Sequence, residues 1–175
     1  MAKRFYDSDS IKMNIYTFEI GDYVEEKEVL QILNDKSRIS ENERYVINAY
    51  FEYSVDNPED SNYEYSLINF SFTTFLDDRE VQKEENDEFD EKSIIFRSQT
   101  QYKVEFTEPI LEENIEEITS KKFRRLMVKD TISKFKVVFN MSLSQTHFEE
   151  LSITDNVIEG MINRHKDDDQ VDAKD

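Results

Sequence analysis

From Tyr45 to Val55 the chain alternates: Tyr45, Ile47, Ala49, Phe51, Tyr53 and Val55 fall on one side, with Asn48, Glu52 and Ser54 on the other. A period of two is a strand with one covered face, which belongs in an antiparallel sheet and not in a parallel one buried on both sides. Asp56-Asn57-Pro58-Glu59-Asp60 then supplies a turn, Pro58 holding its neighbour extended. A second strand follows, with Ile68, Phe70, Phe72, Thr74 and Leu76 on one face. A third runs from Ile94 to Phe106, where Ile94, Phe96, Thr100, Tyr102, Val104 and Phe106 oppose Arg97, Gln99, Gln101 and Lys103. Ile11–Ile20 reads as a further strand, and Val24–Asn34 as a short helix or a loop.

After Pro109 the period changes. Ile115 and Ile118, then Val128, Ile132, Phe135 and Phe139, recur at three-four spacing, the mark of an amphipathic helix. The spacing predicts a helix from about Glu112 to about Phe139, broken near Thr119-Ser120. A second helix is expected to run to about Asn163 on Ile153, Val157, Ile158, Met161 and Ile162. Strands first and helices last give an α+β fold: an antiparallel sheet of about four strands covered by two C-terminal helices. Residues 1–164 read as one domain, with 165–175 an acidic, flexible tail.

Charge decides what else is possible. The net charge is −18, with 40 Asp and Glu against 22 Lys and Arg. Thirteen Phe and nine Tyr supply bulk for a core although only 37% of residues are hydrophobic. Asp77–Glu91 holds nine acids and reads as a solvated, mobile connection; it lacks the central Gly of a calcium loop. Asp167-Asp168-Asp169 reads as part of the charged tail. With no Cys there is neither a disulfide framework nor thiolate chemistry. The two histidines, His147 and His165, stand in no nucleophile–base context, His147 reading as the start of a helix. No catalytic residue, metal site or cofactor is expected. Lys3-Arg4 is followed by no apolar run, so no signal peptide is read there. The expected location is cytoplasmic, and the sequons at Asn69 and Asn140 read as chance.

One stretch runs against the rest. Residues 121–136, KKFRRLMVKDTISKFK, carry seven Lys or Arg and the single acid Asp130; with +6 here and −18 overall, the remainder carries −24. Such a remainder repels a polyanion at ranges beyond a Debye length of about 8 Å. The expected role of Lys121, Lys122, Arg124 and Arg125 is therefore contact with acids of this subunit or a neighbouring one. A one-sided sheet and an amphipathic helix also leave apolar faces in need of cover. A homo-oligomer, dimer or tetramer, is expected through the sheet edge and the 112–139 helix.

The order of elements resembles that of the bacterial export chaperone SecB and its relatives. Ile95-Phe96-Arg97 with Tyr102 and Phe106 is similar to that family's last strand. Phe123-Arg124-Arg125-Leu126 with Ile132-Ser133 is similar to its aromatic-rich helix start, and Phe148-Glu149-Glu150-Leu151 to the segment introducing its last helix. Arg124 and Arg125 stand where the family usually has Pro and Tyr, and Asn140–Thr146 replaces its Pro-rich connector. The resemblance implies a cofactor-free homotetramer, a dimer of dimers, that binds unfolded polypeptide in apolar grooves. It also implies a basic partner such as the translocation motor, or a toxin–antitoxin pair. Tyr50, Tyr65 and Phe75, on the more polar strand faces, are the candidate polypeptide-binding residues.

The alternative set by charge is an acidic inhibitor of the phage type, mimicking nucleic acid to block a basic nuclease. A contiguous acidic ridge would mark it, whereas apolar grooves would mark a chaperone. Neither function involves nucleic acid directly. Gel shifts with single- and double-stranded DNA and RNA at about 0.15 M salt should be blank; a salt-dependent shift at micromolar protein would make the basic helix a phosphate-binding face.

Overall fold

The structure, a computed structural model, describes residues 5–22, 45–58, 62–78, 91–146, 148, 151–157 and 160. Val24–Asn34, His147, Ile158, Met161, Ile162, the tail and most of the acidic run after Asp78 lie outside them. Four antiparallel strands, β1 (Ile11–Ile20), β2 (Tyr45–Asp56), β3 (Tyr65–Asp78) and β4 (Ile94–Glu105), form one sheet in the order β1-β4-β3-β2. The first of these strands therefore crosses the sheet to pair with the fourth, leaving β1 and β2 as its edges among the described residues. Asp77 and Asp78 belong to β3 and not to the connection after it.

The alternation sorts the faces as expected, except at one end of β4. Phe51, Ile68, Phe70, Phe72, Phe96, Tyr102 and Val104 turn inward and are buried in the main core. Ile94 does not join them. The pairing passes from Thr74↔Phe96 to Phe75↔Ile94, a bulge that makes Ile95 the extra residue. Ile95 is then buried in the core, while Ile94 faces Phe75 outside it. Three apolar residues in succession, Ile94-Ile95-Phe96, hide such a slip from a period-two pattern. Gly21 marks the same place: its N–H donates to the Ile95 carbonyl at 2.9 Å. A Cβ there would come within 1.9 Å of the Ile94 carbonyl oxygen, so only glycine lets β1 end so close to the bulge.

The helical stretch after Pro109 is two helices, α1 (Glu112–Thr119) and α2 (Lys121–Leu143). Ser120 separates them in extended conformation, φ −62° and ψ 145°. Its hydroxyl oxygen accepts from the Phe123 N–H at 3.2 Å, a serine N-cap. α2 continues beyond Phe139 because Leu143 keeps the spacing and is buried. Phe139 lies 5.0 Å from Phe72 and 5.6 Å from Phe96 between ring centroids, and Phe135 stacks on Phe70 at 5.3 Å. Of the last helix, residues 155–157 and 160 are helical, with Thr154 Oγ1 accepting from the Val157 N–H. Ile153 thus precedes that helix, in the non-helical approach, and is buried there; Val157 is exposed.

The N-terminus adds a contact that no pattern announced. Phe5 and Tyr6 pack edge-on against Phe123 at 5.7 and 5.8 Å, and the Tyr6 hydroxyl donates to Asp130 at 2.9 Å. The single acid of the basic stretch holds the start of the chain.

On the inner side of β4 the hydroxyls of Ser98, Thr100 and Tyr102 are buried with no hydrogen-bond partner among the described residues. Burial, with a smaller contribution from Tyr16, pushes the Tyr102 hydroxyl up to about 12 from 10.0. A raised folded value means that between pH 10 and 12 the unfolded chain releases a proton that the folded chain keeps. Stability from this group is present below pH 10 and is lost as pH rises across that window. Tyr102→Phe removes an unsatisfied hydroxyl, so urea unfolding at pH 7 should show a gain in stability of about 1–3 kcal/mol, with a shallower loss between pH 10 and 12. A cost above about 2 kcal/mol would mean that the hydroxyl is bonded.

Candidate polypeptide-binding surface

The outward face of the sheet is polar in its middle rows. Register sets Gln101 opposite both Ile15 and Asn69, and Asn69 opposite Ser54. Side chains in these rows link across all four strands: Asn14 donates to Gln101 at 2.7 Å, Gln101 to Asn69 at 2.9 Å, and Asn69 to Ser54 and Asp56 at 3.1 and 2.9 Å. Beside this ladder lies the row Gln99–Ser71–Glu52. The short side chain of Ser71 leaves a trough there of about 440 Å³, bordered by Ile15, Glu52 and Gln99.

The two ends of this face differ. At one end the Lys103 ammonium sits 4.4 Å from the centre of the Tyr65 ring, a cation–π contact. Glu105 accepts from Lys12 at 2.8 Å and from Lys103 at 3.2 Å. Those bonds, the one from Lys12 foremost, hold its carboxyl below the ordinary range. An open hollow of about 410 Å³ lies between Tyr65, Phe106 and Pro109. At the other end Tyr50 opposes Thr73 and is 42% exposed, while Phe75 is only 8% exposed.

Tyr50 and Phe75 thus lie near one another, and Tyr65 is at the far end of the same strand. Ten residues of strand separate Tyr65 from Phe75, roughly 33 Å. The three share a face without forming one pocket. Parity fixes the face of a strand residue, but only its place along the strand fixes its neighbours.

The most exposed apolar side chains of the sheet lie on β1, for which composition gave little signal. Met13, Ile15 and Ile20 are 49%, 51% and 50% exposed, and β1 pairs only with β4, so its other side is an open row of backbone donors and acceptors among the described residues. A register shift between Met13 and Ile15 gives this edge a local bulge.

In the basic stretch, Lys121 and Lys122 are exposed, and Arg124 and Arg125 are half-buried. They open α2, in the helical layer that covers the inner face of the sheet. Lys136 pairs with Asp155 at 2.5 Å, beside a clamp unforeseen from the sequence. The Asn140 side chain donates to the Ile153 carbonyl at 3.0 Å and accepts from the Ile153 N–H at 2.9 Å. Among the described residues no group of His, Cys, Asp and Glu is arranged to hold a metal ion, and no helix is long and apolar enough to cross a membrane.

No protein-family model matches this chain, and no curated protein matches it. Among solved structures it is similar to the Mycobacterium tuberculosis SecB-like chaperone in complex with a ChAD peptide from the HigA1 antitoxin. That match has a TM-score of 0.38 and 7% sequence identity, and covers 82% of this chain and 84% of that one.

Asn140→Ala removes both bonds to Ile153 and leaves that backbone without its partners. It should cost about 1–3 kcal/mol and speed hydrogen exchange at the Ile153 amide selectively, with the β3 and β4 amides unchanged. Uniform acceleration would show that the clamp belongs to global stability instead.

Proposed function

We propose that this chain is a non-enzymatic polypeptide-binding protein, a chaperone of SecB-like type that holds unfolded or extended segments. The observation that carries the proposal is the β1 edge. An extended peptide adds to such an edge through main-chain hydrogen bonds, which demand no particular sequence. Met13, Ile15 and Ile20 then supply apolar contact at about 25 cal/mol per Å² buried. The polar ladder stiffens the sheet behind that edge, and the trough beside Ser71 and Glu52 offers further room on the outward face.

The acidic-inhibitor reading needs one continuous negative ridge. On the described surface the sign changes within short distances instead. The glutamates of α1 run into the lysines and arginines that open α2, and Lys12, Arg97 and Lys103 stand among Glu19, Glu52 and Glu105 on the sheet.

An unfolded, reduced client should stay soluble in the presence of the protein without nucleotide, as followed by light scattering, and raised salt should leave this largely intact. Ile15→Lys places a charge on the edge and should weaken holding several-fold. If the protein fails to suppress aggregation and a native-cell pull-down yields one folded basic protein whose capture falls with salt, the inhibitor replaces the chaperone.

A further inference from the structure

The pair Phe5-Tyr6 is held by the rest of the chain in the way a peptide is held by a receptor. Its two rings lie edge-on against Phe123 at 5.7 and 5.8 Å, and Phe106 stands 6.3 Å from the same ring. Its backbone is gripped through one carbonyl. Thr107, just past the end of β4, donates to the Phe5 carbonyl twice, from its N–H at 2.8 Å and from its hydroxyl at 3.0 Å. The Tyr6 hydroxyl is read by a carboxylate, donating to Asp130 at 2.9 Å. What joins the pair to β1 is polar and self-contained. Asp7, Ser8 and Asp9 are exposed, and Ser8–Ser10 form a single 3₁₀ turn with no buried residue. Its bonds close on Asp7: the Ser10 N–H and hydroxyl donate to the Asp7 carbonyl at 3.0 and 2.6 Å, and the Ser8 hydroxyl donates to the Asp7 carboxylate at 3.2 Å. The turn therefore keeps these bonds when the pair lifts away, and β1 stays paired with β4 from Ile11 onward. Opening of such a segment breaks local contacts and not the fold.

The seat beneath the pair is chemically defined. Phe123, Asp130 and Val137 follow one another at seven-residue spacing and so share one stripe of α2. Under the pair Phe123 is 6% exposed, whereas Val137, beyond it, is 58% exposed. The stripe is open where the pair does not reach it. Lifting the pair presents an aromatic ring, a carboxylate and the two donors of Thr107 together. Asp130 sets the strictest requirement, because a site built to bond a hydroxyl rejects the analogue that lacks one.

We propose that this seat is a recognition site for an extended segment bearing an aromatic–tyrosine pair, kept filled by the chain's own Phe5-Tyr6 until such a segment of another polypeptide takes its place. The occupant follows from the segment already seated there. Two rings, one carbonyl and one hydroxyl make the contacts just described, and any polypeptide carrying that pair offers the same groups. The attached pair competes at high effective concentration, so it acts as a built-in threshold that excludes weaker segments. The inference rests on the polypeptide-binding reading only for the origin of the displacing segment.

Hydrogen exchange on the wild type tests the opening. The Thr107 amide, whose acceptor is the Phe5 carbonyl, should exchange at least about tenfold faster than the amides at the centre of β3 and β4. Exchange of Thr107 only together with those amides would make the pair a fixed part of the core and overturn the proposal. Tyr6→Phe keeps both rings and removes only the bond to Asp130. It should speed Thr107 exchange several-fold with the β3 and β4 amides unchanged, and an unchanged Thr107 rate would also overturn it. The probe for the seat is a fluorescent peptide of residues 3–10, followed by anisotropy. It should bind the full-length Phe5→Ala/Tyr6→Ala variant, shown to be folded by circular dichroism, at least about tenfold more tightly than the wild type. A peptide with Phe in place of the tyrosine should bind that variant several-fold more weakly, and adding Asp130→Ala should erase the difference between the two peptides. Equal binding to wild type and variant, or a tyrosine preference that survives without Asp130, would overturn the site. None of these readouts needs a client. Failure to keep an unfolded client soluble would therefore count against the chaperone and leave the seat standing, whereas a failed exchange or peptide result would remove the seat alone.

Discussion

The seating of Phe135 and Phe139 on Phe70, Phe72 and Phe96 is the contact on which the other arrangements hang. With centroid separations of 5.0–5.6 Å, these rings fix both the height and the rotation of α2 over the sheet. Removing one buried ring costs about 3–5 kcal/mol, against a total stability of about 5–15 kcal/mol for a typical domain. A chain with only 37% hydrophobic residues can hold together because its burial is concentrated in large rings. The rotation set by these rings determines which residues of α2 face out. It also brings Phe123 and Asp130 to where Phe5 and Tyr6 can reach them.

The same seating explains how β4 tolerates its orphan hydroxyls. Ser98, Thr100 and Tyr102 lie between the aromatic contacts, in one of the two strands of the sheet that are paired on both sides. Each unsatisfied hydroxyl opposes folding by about 1–3 kcal/mol, a cost the surrounding packing offsets. For Tyr102 the burial that leaves the hydroxyl unbonded also keeps its proton in place.

The sheet and the break between helices were legible because each rests on local spacing or local capping. Period two found β2, β3 and most of β4, and the Thr119-Ser120 pair marked a break that Ser120 makes by capping α2. Where the calculation of face required knowing an insertion, as at Ile94-Ile95-Phe96, the pattern misled. Spacing alone fits Ile153 to the last helix, while the clamp from Asn140 holds it in the non-helical approach. The Tyr6–Asp130 bond joins residues 124 apart in sequence, and no local pattern encodes such a pair. For the candidate site, alternation placed Tyr50, Tyr65 and Phe75 on one face. It gave neither the distance between them nor the exposure of β1, because an edge exists only once strand order is known.

Strand order also makes the two edges chemically unequal. The edge strand β2 exposes Glu52, Ser54 and Asp56 along with Tyr50, and charged or polar groups on an edge discourage pairing with another chain. The other edge, β1, has charged Lys12 and Glu19 near its ends, but Met13 and Ile15 stand exposed between them. An acidic protein that protected both edges would have no reason to keep apolar side chains half in water at one. Net charge limits what that open edge does to its owner: copies at −18 repel one another at long range, a field that opposes edge-to-edge pairing of this chain with itself and does not act against neutral or basic segments.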